Sequence, residues 1–176
     1  EFDFDSVLAR AKNGDVDAQF DLGLRYRTGN GVPKNADRAI QWLDCAAKQQ
    51  HVASLLQLGM IYSAGEGVAK DASKATDYFS KACQYATPDE LTACHWVSGN
   101  AYYHAGDYSS AIEHLQYAAQ QGLPSAQFRL GFFFERGLLV SRDYKRAFDL
   151  YEQAASSLHF PDLGALQFEA VCTSMI

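Results

Sequence analysis

The sequence predicts an all-α fold, a right-handed α-α superhelix of about four antiparallel helix-pair repeats with flanking helices. Three observations predict it. A unit recurs at a fixed period of 36 residues, an apolar stripe with the spacing i, i+1, i+4 opens each copy, and glycine-rich turns are followed by an Asn or Asp suited to start a helix.

The period is read directly from the residues. Shifting the chain by 36 places brings Val16, Leu22, Gly23, Tyr26, Gly29, Gly31, Val32, Lys34, Ala36, Ala39 and Ala46 onto Val52, Leu58, Gly59, Tyr62, Gly65, Gly67, Val68, Lys70, Ala72, Ala75 and Ala82. A shift of 108 brings Ala18-Gln19-Phe20-x-Leu22-Gly23 onto Ala126-Gln127-Phe128-x-Leu130-Gly131. The third copy is framed by Gly99, Tyr102, Gly106-Asp107, Ala111, Ala118 and Ala119. The turn before it, around Thr87-Pro88-Asp89, has gained four residues, and the turn inside it has lost four. The phase is thereby restored for the last copy.

The elements follow in order, and the chain reads as a single repeat domain over 1–176. A cap helix is expected over 3–13, with Ala11 in the place of Ala47. Repeats follow at about 14–49, 50–86, 88–121 and 122–157. In each, the first helix carries the Leu22-Gly23-Tyr26 stripe. It ends in a turn such as Gly29-Asn30-Gly31-Val32-Pro33, where glycine tolerates the left-handed cap and proline cannot continue the helix. Asn35, Asp71, Asp107 and Asp143 start the second helices, since their side chains accept bonds from unpaired backbone N–H groups. Ala39, Trp42 and Ala46 line the inner face, small residues letting helix axes approach and rings filling the gaps. A C-terminal helix over 161–173 is expected to open a fifth unit. The chain starts at Glu1-Phe2 and ends in the apolar Val171-Cys172-Thr173-Ser174-Met175-Ile176. It therefore reads as an excised piece whose far end continues or docks, self-association included.

Composition excludes several classes. The 48% hydrophobic and 20% charged residues are those of a globular protein. No apolar run approaches the roughly 20 residues that cross a bilayer. The net charge is −6 and Lys and Arg are scattered singly, so nucleic acid is not an expected partner. The cysteines Cys45, Cys83, Cys94 and Cys172 form no C-x-x-C and no zinc-spaced cluster, so no metal is expected. Each reads as a small buried apolar residue. Cys83 and Cys94 carry a second reading: they flank the turn between two helices and are placed to meet as a disulfide clip in an oxidising compartment.

The pattern A-x-x-x-L-G-x-x-Y-x-x-G-x-G-V-x-x-D/N-x-x-x-A-x-x-W-x-x-x-A-A resembles the Sel-1-like repeat, a relative of the tetratricopeptide repeat with a longer inter-helix turn. Residues 18–47 and 54–83 match almost throughout; 126–155 departs at Leu139, where a turn glycine belongs. The third copy, with Gly106-Asp107-Tyr108-x-x-Ala111, is closer to a tetratricopeptide unit. The resemblance implies a concave groove lined by first helices. Its contact positions fall on Phe20, Leu24 and Arg27; on Leu56, Met60 and Ser63; on Trp96, Asn100 and Tyr103; and on Phe128, Phe132 and Glu135 with Arg136. Such a lining suits an amphipathic helix or apolar peptide, with Arg27, Asn100 and Arg136 available to a carboxylate or backbone group. The competing reading is that these residues finish the core or form a self-association surface.

No catalytic pattern accompanies the repeats. His51, His95, His104, His114 and His159 show no paired spacing, and neither S-x-x-K nor G-x-S-x-G occurs. The resemblance implies a non-catalytic scaffold or adaptor that binds a protein or peptide segment and needs no cofactor. A cell-wall or lactam-directed hydrolase or binding protein, and a purely structural spacer, are the alternatives. The Gly-Val-Pro-Lys-Asn and Gly-Val-Ala-Lys-Asp turns resemble bacterial members, which leans toward an envelope or exported location without fixing the compartment.

Overall fold

The computed structural model describes residues 4–157. Among these there are nine α-helices and no strand: α1 Phe4–Lys12, α2 Val16–Thr28, α3 Ala36–Lys48, α4 Val52–Ala64, α5 Ala72–Tyr85, α6 Pro88–Ala105, α7 Tyr108–Gln120, α8 Pro124–Arg136 and α9 Tyr144–Ser157. The expected cap helix is α1. The expected C-terminal helix, and Cys172 with it, lie outside the described residues. The chain forms two compact units, the first ending at Ala105 and the second starting at Gly106.

The helix starts are made by the expected side chains. Asn35, Asp71, Asp107 and Asp143 accept the backbone N–H of Arg38, Lys74, Ser110 and Arg146 at 2.9, 3.0, 3.2 and 3.0 Å. Each satisfies one amide that the first helical turn leaves unpaired. The long turns close by one recurring bond: the N–H of Asn35, Asp71 and Asp143 donates to the carbonyl of Tyr26, Tyr62 and Phe134 at 2.8, 2.9 and 3.0 Å. The last of these turns therefore keeps its closure although Leu139 replaces glycine. Leu139 adopts the left-handed conformation itself, with φ 56°.

Helix approach depends on glycine. A Cβ built on Gly23 would meet Leu43 Cγ at 2.6 Å, and one on Gly59 would meet the Phe79 ring at 2.5 Å. On Gly131 it would meet the Tyr151 ring at 2.7 Å. Leu43, Phe79 and Tyr151 thus occupy the place facing the glycine. Trp42 sits one position earlier, half-buried over the end cluster of Ala11, Ala18 and Leu22. In the first unit the core continues through Leu43, Leu55, Leu58, Ile61, Ala82 and Cys94. In the second, Leu115, Ala126, Leu130, Phe133 and Ala147 are buried.

A cation sits over the first-helix ring in three copies. Arg38 lies 5.4 Å from the Tyr26 centroid, Lys74 5.0 Å from Tyr62 and Arg146 5.3 Å from Phe134. At such range the ring face attracts the charge, so each long turn is flanked by the same contact.

Candidate functional site, a trough between two first helices

In the first unit α4 packs on both α5 and α6. α4 and α6 are the first helices of successive repeats, and between them lies a cavity of roughly 500 Å³. Its floor and walls are Leu56 and Met60 of α4 with Trp96, Val97 and Ala101 of α6. Gln57, Ser63, Glu66, Asn100 and His104 are its polar lining residues. Leu56, Met60, Trp96 and Asn100 are each half-buried, and Leu56 also packs against the core of the first unit.

The rim is fixed electrostatically. Arg27 of α2 donates Nε and Nη2 to the two Glu66 carboxylate oxygens, both at 2.9 Å, and Nη1 to Gln57 Oε1. This bidentate bond, with Arg27 as the nearest cation, holds the Glu66 carboxyl below its ordinary range. The Arg27 fork is spent within the protein, on two residues of the cavity. Ser63 is buried and its hydroxyl donates to the Met60 carbonyl at 3.0 Å. The Asn100 amide oxygen is buried and has no hydrogen-bond partner among the described residues.

Of the expected contact residues, Leu56, Met60, Ser63, Trp96 and Asn100 share this cavity. Phe20 instead meets His51 edge-on at 4.9 Å and leans on the core. Leu24 is half-buried on α2, and Tyr103 is half-buried with its ring 5.3 Å from His104. In the second unit Phe128 is 49% exposed, the most open ring among the expected contact residues, and its ring centroid lies 5.1 Å from that of Tyr151. Arg136 covers the Phe132 ring at 5.3 Å. Glu135 accepts the Tyr151 hydroxyl at 2.7 Å, and burial together with that bond pushes the Tyr151 pKa up. Gln57, Val97 and His104 were not expected at the site; each lies one position from, or one helical turn beyond, an expected residue.

Cys83 and Cys94 carry their sulfurs 2.7 Å apart, as thiols. Cys94 is fully buried, and the contact with Cys83 followed by burial pushes its thiol pKa far up. Cys45 is exposed. No described helix is long and apolar enough to cross a membrane.

The Sel1 repeat pattern matches residues 16–51, 52–84, 91–123 and 124–157, which is most of the chain. The chain belongs to the Sel1 repeat family. Its helix-pair solenoid is shared with a protective antigen of uropathogenic Escherichia coli displaying an SLR fold. That protein is 30% identical over 89% of this chain, with a TM-score of 0.71. A Sel1 repeat protein from Oxalobacter formigenes is 26% identical over 86% of the chain, with a TM-score of 0.69. The chain spans 34% of the first structure's length and 60% of the second's. No curated protein matches it. Sel1 repeats are in general protein–protein interaction scaffolds.

Proposed function

We propose that this Sel1 repeat chain is a non-catalytic adaptor and that the trough between α4 and α6 takes an apolar side chain from a polypeptide segment. The cavity carries the reading. A volume of roughly 500 Å³ walled by Leu, Met, Trp and Val holds one large side chain and its neighbours, and burying such an anchor is the usual source of hot-spot affinity. Met adapts to the shape of the guest. The orphaned Asn100 oxygen supports a peptide over a hydrocarbon guest, because rotation of its amide toward a backbone N–H removes a buried unsatisfied acceptor. The exposed Phe128 and the Phe132–Arg136 pair offer a second apolar contact for the same class of partner.

A peptide library displayed against the whole chain tests this. Selected peptides should share a large apolar residue, and Trp96→Ala should weaken them by about 10–100-fold, the range of a buried aromatic anchor. Trp96→Ala combined with Phe132→Ala should remove binding while helical circular dichroism is kept. Peptides that bind the double variant as tightly as the parent would place recognition elsewhere. A library that yields no shared anchor would favour a structural spacer.

A further inference from the structure

Cys83 on α5 and Cys94 on α6 stand on either side of the lengthened turn. Their Sγ atoms are 2.7 Å apart, closer than unbonded sulfurs ordinarily approach and only about 0.7 Å beyond a disulfide bond. Both helices are held firmly there. Ala82, beside Cys83, and Ser98, one turn after Cys94, are fully buried. The turn is closed by Thr87, whose N–H and hydroxyl donate to the Glu90 carboxylate at 2.9 and 2.8 Å. The pairing is thus built by two packed helices and a capped turn. It joins neighbouring repeats, and it sits at the base of the helix that carries Trp96 and Asn100.

We propose that Cys83 and Cys94 form a thiol–disulfide exchange site at which a low-molecular-weight disulfide is reduced and α5 becomes clipped to α6. The two sulfurs have different access. Cys83 is half-buried and Cys94 is fully buried, so the reagent enters at Cys83. The Cys83 thiolate attacks one sulfur of the small disulfide, breaking its S–S bond and releasing one thiolate. Cys94, giving its proton to solvent, then attacks the Cys83 sulfur and expels the second small thiol. Two protein thiols are oxidised and one disulfide becomes two thiols. The raised Cys94 pKa agrees with this order, because the resolving sulfur stays protonated until the mixed disulfide has replaced its thiol neighbour. The site stands independently of the trough reading.

Oxidised glutathione added to the reduced whole chain, followed by intact mass and non-reducing peptide mapping, tests the site. The expected product has lost two hydrogens, retains no glutathione and links the peptides carrying Cys83 and Cys94. Its melting midpoint should rise by about 5 °C, as cross-linking a short loop in a chain of this size predicts. Cys94→Ser, which keeps the side-chain volume nearly constant, should trap one glutathione on Cys83, and Cys83→Ser should leave Cys94 unmodified. Glutathione retained on Cys83 of the parent chain, or both thiols still open to alkylation, would overturn the clip. Glutathione on Cys94 in Cys83→Ser would overturn the entry order.

Discussion

Leu139 and Gln50 hold backbone angles that L side chains rarely adopt, φ 56° and 64°. Their equivalents elsewhere are glycines at similar angles. Gly31 and Gly67 correspond to Leu139, at φ 74° and 73°, and Gly14 and Gly122 correspond to Gln50, at φ 92° and 82°. The left-handed conformation costs a residue with a Cβ roughly 1–2 kcal/mol, part of which glycine returns through its freer unfolded chain. Leu139 is also 70% exposed, so removing its side chain forfeits little burial. Leu139→Gly is therefore expected to stabilise the protein by about 0.5–1 kcal/mol. Chemical denaturation of parent and variant would measure it, and a loss of stability would show that the Leu139 side chain has contacts that matter. At this scale the sequence was legible where chemistry is unambiguous. The four Asn/Asp caps could be assigned because short acceptor side chains have few other uses before a helix. The Gln50 angle was not legible, since glutamine carries no signature of a left-handed turn and only its register with Gly14 and Gly122 discloses it.

Within a helix pair the decisive contact is between a first-helix glycine and one large residue of the second helix. Gly59 faces the fully buried Phe79 ring, which leaves no room for a methyl group. Gly59→Ala gains about 1 kcal/mol of helix propensity but forces a packed ring or the helix axis to move, which typically costs about 1–3 kcal/mol and sometimes more. The net expectation is a loss of about 1–2 kcal/mol. The second substitution Phe79→Leu should relieve the clash, so the pair is expected to be less destabilised than the two single effects added together. A double-mutant cycle by urea denaturation reads this coupling, and simple additivity would remove Phe79 as the reason for glycine at 59. The repeat register exposed Gly59 as a packing residue, and the family resemblance carried onto that register pointed to Leu56, Met60, Trp96 and Asn100, which line one cavity. Trp42 fills a gap as expected, over Ala11, Ala18 and Leu22, but the register did not single out Leu43 as the residue that faces Gly23. Arg27 shows the limit of such reading. Its partners Glu66 and Gln57 lie 39 and 30 residues away, and a tertiary ion pair leaves no mark in local spacing.

On the scale of the molecule, packing runs between helices one or two places apart in the chain. An architecture of this kind has stability close to a sum of local and nearest-neighbour contributions, so damage should remain where it is made. Phe133 of α8 is fully buried and meets Tyr108 edge-on at 5.8 Å. Truncating such a ring costs about 3–5 kcal/mol. In Phe133→Ala, hydrogen exchange followed by mass spectrometry is expected to quicken strongly through α7, α8 and α9, while α2, α3 and α4 keep their protection. Equal acceleration in all the helices would mean that the chain opens as one cooperative body, and nearest-neighbour packing would then fail to describe its energetics. The distinction bears on binding. A locally opened second unit would lose the Phe128 and Phe132 contacts yet leave Leu56, Met60 and Trp96 in place, so an anchor held by the α4–α6 trough should still be recognised by that variant. Conversely, global opening would reduce recognition in proportion to the fraction unfolded, and the smaller gain from Leu139→Gly would return only part of it. Measuring peptide affinity and exchange on the same variant therefore separates a modular scaffold from a cooperative one.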